Sequence, residues 1–313
     1  MRILDHRYKF YHSKISKLKI FFNLVKLFFY LVTGKVFVVK KFFGYIFALD
    51  LKTLLSKVVF VYGVREILDT ELVEKEVGVG MHVLEVGANI GYYVLLEASK
   101  VGEGGKIFAF EPDPRNLKLL EKNILINNLV EKVKVYNVAA GAQNTTGNLC
   151  LYKETNLNNF LSNVINEQKV EGFVKTKIIK LDDFPEINKI DFIRMDVEGY
   201  ECFVIDGAMS FLKNKSNIKL LIEVHSNAYN KEELDFSKRI KNLAELGFKA
   251  KYVISDGSAR PQKIISKGYE PIKTATELKE NRGLYENIAM GDLIEFLKNK
   301  EKIVRSIFLE KNE

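Results

Sequence analysis

Leu84-Glu85-Val86-Gly87-Ala88-Asn89-Ile90-Gly91 decides the fold. A short apolar strand over residues 83–86 runs into a glycine turn, and a helix pattern follows over 91–101. Glycines there let a ligand approach the backbone, and the opening of the helix turns amide groups toward it. The next strand, residues 106–110, closes on Glu111. A carboxylate at that point can accept hydrogen bonds from both hydroxyls of a ribose.

Outward from this turn the same alternation repeats. Residues 114–128 read as a helix, 133–136 as a strand, 190–195 and 220–224 as two more apolar strands, with a helix pattern over 203–212 between them. Helix 232–246, strand 248–254 and a final strand 285–290 follow. Buried strands alternating with helices predict a doubly wound, mostly parallel α/β sheet with its ligand at the carboxyl ends of the strands. Five asparagines between 156 and 166 interrupt the alternation and read as a loop over the site or as surface decoration. Before the sheet, residues 36–40 and 42–49 predict a strand pair and 65–77 a helix. The expected division is 1–34, a basic apolar helix; 35–77, a lead-in; and 78–313, the catalytic domain.

The charge is uneven. Residues 1–60 hold 12 basic and 2 acidic side chains, and the rest of the chain 36 and 38. The catalytic part is therefore no basic nucleic-acid binder. Two cysteines, neither in a CxxC, exclude a disulfide framework and a cysteine zinc site. They fit a cytoplasmic location.

Over residues 15–33, Ser16, Lys19, Asn23, Lys26, Tyr30 and Thr33 form one narrow polar stripe, and apolar residues fill the rest. Lys26 would sit near the middle of a bilayer, which disfavours a span. Two readings stand: a helix lying on the inner face of an anionic membrane, or one packed on the domain or in a homo-oligomer. The lysines at 40 and 41 read as a solvated face or as contacts to an acidic or lipid-linked substrate.

The glycine pattern is GxxxG, with Asn89 where a dinucleotide site has its pyrophosphate-facing glycine. Glu85 would repel a pyrophosphate and attract an ammonium or sulfonium. Asn89 offers a neutral amide to a carboxylate. These three details favour S-adenosyl-L-methionine over NAD.

Four ordered blocks carry a resemblance: Glu85-Val-Gly-Ala-Asn-Ile-Gly, Phe110-Glu111-Pro112-Asp113-Pro114, Asp196-Val197-Glu198-Gly199-Tyr200-Glu201 and Ile222-Glu223-Val224-His225. The chain resembles the FkbM family of S-adenosylmethionine-dependent methyltransferases from about residue 36 to 290. The resemblance implies a class I methyltransferase fold with a seven-stranded sheet whose last strand is antiparallel. It implies methylation mostly of oxygen, on sugar, glycan or secondary-metabolite acceptors. It places Glu85, Gly87, Asn89 and Gly91 around the methionine part, Glu111 with Pro112 at the ribose, Asn137 and Ala139 near the adenine, and Asp196 beside the methyl group.

An alcohol acceptor must lose its proton, so a base or a metal is needed, whereas a carboxylate acceptor needs neither. The expected catalytic residues are His225, Asp196 and Glu198, with His225 as base on its ordinary pKa. Those three with Glu223 could bind a divalent cation, but their spacing is no recognised metal signature and no metal is assigned. Tyr92 and Tyr93 line the cleft or pack behind it. The competing readings are a nicotinamide-dependent oxidoreductase and a non-catalytic module that binds S-adenosylmethionine.

Overall fold

The computed structural model describes residues 17–152, 160, 170–229, 234–277, 280–298 and 302–312. The asparagine-rich stretch lies outside the described residues. Helix α1 (Lys17–Val32) leads into a hairpin, β1 (Phe37–Phe42) and β2 (Tyr45–Asp50), close to the predicted strand pair. Helix α2 (Leu54–Tyr62), which the sequence reading missed, is capped by Thr53 and followed by α3 (Ile67–Glu76).

The core then runs β3 (His82–Val86), α4 (Tyr92–Ala98), β4 (Lys106–Phe110), α5 (Pro114–Leu125) and β5 (Val133–Tyr136). An insertion follows: β6 (Ala139–Gly141), β7 (Thr145–Tyr152) and β8 (Val170–Lys180) form a separate three-stranded sheet. The chain returns through β9 (Phe192–Met195), α6 (Glu201–Asp206), α7 (Met209–Asn214), β10 (Ile218–Glu223), α8 (Phe236–Glu245) and β11 (Lys249–Ser255). It ends with α9 (Gln262–Ile265), β12 (Lys273–Glu277), β13 (Glu280–Glu286), α10 (Met290–Lys298) and β14 (Val304–Lys311).

The main sheet has the order β12-β13-β11-β14-β10-β9-β3-β4-β5. The block β10-β9-β3-β4-β5 is parallel throughout, and β14 lies antiparallel between β10 and β11. This is the expected seven-stranded class I arrangement, extended to nine by β12 and β13. Adjacent strand residues go to opposite layers. Val83, Ile107, Phe192 and Leu221 pack on one face, and Leu84, Phe108, Ile193 and Leu220 on the other. A parallel sheet must be covered on both sides, which is why these strands read as unbroken apolar runs.

Three expectations need correction. The last strand is β14, not residues 285–290: β13 ends at Glu286, and the apolar residues beyond it lead into α10, which buries Leu293 and Phe296. The helix expected at 203–212 is split at Gly207. A Cβ there would stand 2.0 Å from the Gly141 carbonyl oxygen, so β6 and the break fit only with glycine. Finally, α1 buries only part of its apolar side against the domain: Leu27, with Ile20, Leu24 and Tyr30 partly buried beside it. Among its residues only Asn23 and Leu27 are buried. Among the described residues, no helix is long and apolar enough to cross a membrane.

Candidate active site

A cleft opens at the carboxyl ends of β3, β4 and β9. Gly87 fixes its floor. With φ +92°, a Cβ there would lie 2.1 Å from the Asp196 carbonyl oxygen, so only glycine lets the β3 and β9 ends meet this closely. Asn89 also has positive φ, and its N–H donates 2.6 Å to Glu111 Oε2. The Asp113 N–H donates 2.8 Å to Glu111 Oε1. Two backbone donors thus pin a carboxylate on the cleft wall, and burial pushes its pKa up to about 7.

Phe110, Pro112, Val138, Ala139, Ala140 and Leu149 give the cleft an apolar side. Leu149 comes from the inserted sheet, which therefore supplies part of the wall. Asn137 has a different job: its Nδ2 donates to the Glu111 and Pro112 carbonyls at 2.9 and 3.2 Å, tying the strand ends together. Gly91 caps α4 with φ +89°.

Behind the glycine turn lies a buried charge network centred on Arg194. Its Nη1 donates 2.7 Å to Glu85 Oε1, and its Nη2 stands 3.4 Å from Asp196, 3.7 Å from Glu66 and 3.9 Å from Glu223. The guanidinium rests 3.5 Å from the centre of the Tyr93 ring, and Tyr93 Oη donates to Glu66 at 2.8 Å. Arg65 binds Glu66, and Arg305 binds Glu223. Glu85 is thus buried and paired with Arg194, and is absent from the cleft wall. Tyr92 and Tyr93 pack behind the cleft.

Glu97 is fully buried next to this network: burial pushes its pKa well above the usual range, and the Glu85 charge adds to that. A carboxyl raised in the folded state loses its stabilising contribution as pH rises toward its folded value. Glu97→Gln should therefore gain on the wild type with rising pH, by up to about 1.4 kcal/mol per unit. Denaturant titrations at pH 6 and 9 check this, and a pH-independent difference would show that Glu97 is ionised.

At the cleft end, His225 sits among four carboxylates. Glu201, fully buried, contacts Nδ1 at 2.8 Å and accepts from Tyr229 Oη at 2.6 Å. Nε2 faces Glu198 and Glu223 at 3.4 Å each and Asp196 at 3.8 Å. Burial acts to lower the His225 pKa, but Glu201, Glu223 and Glu198 outweigh it and hold the ring well above its ordinary value. The sequence reading takes His225 as a base on its ordinary pKa; the surrounding carboxylates favour the protonated form of the ring instead. Asp196 and Glu198 behave oppositely. Burial raises them to about 7 and about 8, against the lowering influence of Arg194 on Asp196 and of His225 on Glu198. Glu198 also keeps positive φ, +52°, an uncommon conformation for a non-glycine residue.

Asp196, Glu223 and His225 bring potential ligand atoms within 4.8 Å of one another and could hold a cation. Glu223, however, already carries Arg305, so its charge is compensated from within.

The structure brings together Gly87, Asn89, Glu111, Pro112, Ala139, Asp196 and Glu198 on the cleft, with His225 touching the last two. Sequence reasoning missed Arg65, Glu66, Arg194, Glu201 and Arg305. One signal was available: Arg194 interrupts an otherwise apolar buried strand, and a charge there needs partners.

Compared with known proteins, residues 85–250 match the family model of the methyltransferase FkbM domain. The chain is similar to Methyltransferase 1 of Beauveria bassiana (strain ARSEF 2860), 26% identical over 144 residues, 40% of this chain and 57% of that protein. It thus spans less than two thirds of the length of this curated relative. Among solved structures, it is similar to methyltransferase FkbM from Methylobacillus flagellatus KT, with 16% identity, TM-score 0.38, and coverage of 66% of this chain and 43% of that one. It is also similar to a SAM-dependent O-methyltransferase from Thermotoga maritima, with 17% identity, TM-score 0.42, and coverage of 80% and 66%.

Proposed function

The chain belongs to the FkbM methyltransferase family, and from that premise we propose that it moves a methyl group from S-adenosylmethionine to a hydroxyl oxygen of a sugar, glycolipid or secondary metabolite. The cleft chemistry suits that donor. Glu111 would take the ribose hydroxyls, the apolar side the adenine, and the Gly87–Asn89 turn the methionine part. Carboxylates at Asp196 and Glu198 favour a cationic group between them. Three acids and no Lys or Arg among the described lining residues disfavour a dinucleotide pyrophosphate, which sets the oxidoreductase reading aside.

One observation carries the choice of acceptor: Asp196 and Glu198 line the cleft, 3.8 and 3.4 Å from His225 Nε2, while Glu201 holds the other ring nitrogen at 2.8 Å. When bound, the cofactor supplies a methyl already activated as a sulfonium, so the protein chiefly aligns the acceptor and removes its proton. A base works best with a pKa near the operating pH. Glu198 takes the hydroxyl proton. His225, oriented by Glu201, keeps Glu198 partly ionised, and Asp196 faces the transferring group. A carboxylate acceptor would need no base and would meet the acidic side chains of Asp196 and Glu198 on the cleft wall.

The test uses donor labelled on the methyl group, with fractionated glycan and lipid extracts. Label in a product stable to mild alkali, a methyl ether, is expected; alkali-labile label, a methyl ester, overturns the hydroxyl reading. Chelator should leave the rate nearly unchanged, and loss of activity restored by a divalent cation would instead favour metal assistance.

Cofactor binding has its own test. Glu111→Ala should weaken S-adenosylmethionine binding by about 1–3 kcal/mol in calorimetry, as for a charged hydrogen-bond partner. Unchanged affinity would remove Glu111 from the ribose site.

A further inference from the structure

Helix α1 is amphipathic the wrong way round for water. Its polar Asn23 points inward, donating 2.7 Å from Nδ2 to the Val61 carbonyl, and Leu27 is buried beside it. At about 100° per residue, Leu18, Phe22, Val25, Phe29 and Val32 fall on the opposite side of the helix. All five are exposed, Phe29 at 61% and Val32 at 69%. Phe21 and Phe28 widen this face. It runs on into the hairpin, where Phe37 and Val39 point outward and share a groove with Tyr30 and Lys35 at the end of the helix. An exposed apolar surface this continuous marks an interaction site.

The charges say what covers it. α1 carries three lysines and no acidic residue. Lys19 and Lys26 flank the apolar face on one edge. Beneath them Lys40 is half-buried, bound to the Phe60 carbonyl, with its ammonium 4.7 Å from the Phe60 ring centre. Burial, with the repulsion of Lys19 and Lys26, lowers the Lys40 pKa to about 8. A second copy of this chain would bring the same cations to the contact. An anionic lipid surface offers both the apolar depth and the opposite charge.

We propose that α1 lies in the plane of an anionic membrane, with its phenylalanine face among the acyl chains and Lys19 and Lys26 at the headgroups. The helix is too short to span, and Leu27 and Asn23 fasten it to α2, so the catalytic domain is held against the surface. This inference is independent of the methyl acceptor.

The experiment is sedimentation of the full chain with phosphatidylcholine vesicles containing or lacking about 30% phosphatidylglycerol. Binding to the anionic vesicles is expected, falling at least tenfold on the neutral ones or in 0.5 M salt. Lys19→Gln should cost about fivefold, the worth of one cation at such a surface. Phe21→Ser with Phe28→Ser and Phe29→Ser should abolish binding while leaving the thermal transition in place, since these side chains are exposed. The chain has no tryptophan, so Phe22→Trp gives a single reporter. Its emission should shift to the blue and be quenched by brominated acyl chains. Wild-type protein that stays in the supernatant with every vesicle overturns the proposal. So does a reporter already blue-shifted without lipid in a dimer, or one shielded by residues 1–16 in a monomer.

Discussion

Arg194→Met is expected to destabilise the protein by about 3–5 kcal/mol, the cost of stranding buried carboxylates by removing their shared partner. Glu85 loses its 2.7 Å ion pair, and Asp196 and Glu66 lose a nearby cation. Guanidinium titration at pH 7 measures the deficit. Its pH dependence has a definite sign. Burial already pushes the Glu85 pKa up, and Arg194 is the leading opposing charge. Without Arg194, Glu85 takes up a proton more readily, so the deficit should shrink as pH falls. Adding Glu85→Gln should recover part of the loss, because the two side chains act as a unit. A deficit below about 1 kcal/mol at every pH would mean that water, not Arg194, compensates these acids.

Glu198→Gln is expected to lower kcat by roughly 10²–10⁴, the usual worth of a general base. The KM for the methyl donor should move little, because the loss is confined to the transition state. In the wild type, kcat should rise with pH through about 7–8, where Asp196 and Glu198 ionise. His225→Ala separates the two candidates for the base. His225 lowers the Glu198 carboxyl against the effect of burial, so its loss should move the ascending limb to higher pH. Turnover would then fall at pH 7 and partly recover in alkali. If the ascending limb disappears instead, the imidazole itself takes the proton. Rate–pH profiles of the three proteins decide between these outcomes.

The parallel half of the sheet was legible because β3, β4, β9 and β10 are short apolar runs ending in turn residues or acids, as strands buried on both faces must be. Strand β14 was not. Its Arg305, Glu310 and Lys311 dilute an apolar pattern that only the neighbours β10 and β11 complete. The inserted sheet was missed because Val170–Lys180 alternates lysines with apolar residues and buries one face only. On α1 the polar stripe was read correctly, but which side faces the domain depends on α2, which was not anticipated. At the site, Gly87, Asn89, Glu111, Asp196 and Glu198 stood out because each follows a recognisable strand. The electrostatic setting of His225 did not, since it is made by Glu201 on another element, 24 residues earlier, acting against burial. Likewise, Glu85 carried the right charge for a sulfonium, but Arg194 on the neighbouring strand claims it.

The position of β14 has a consequence for how the molecule is made. The strand sits in the middle of the sheet, yet it comes 81 residues after the end of β10, the neighbour on one side. At about 5–20 residues per second, a ribosome needs roughly 4–16 s to deliver it. Until then β10 and β11 hold open edges toward each other, and Glu223 waits without Arg305. Closing the sheet and neutralising that carboxylate are one event. A nascent chain therefore carries its glycine turn and Glu111 well before Glu223 gains Arg305. For those seconds two strands stand open to whatever can pair with them.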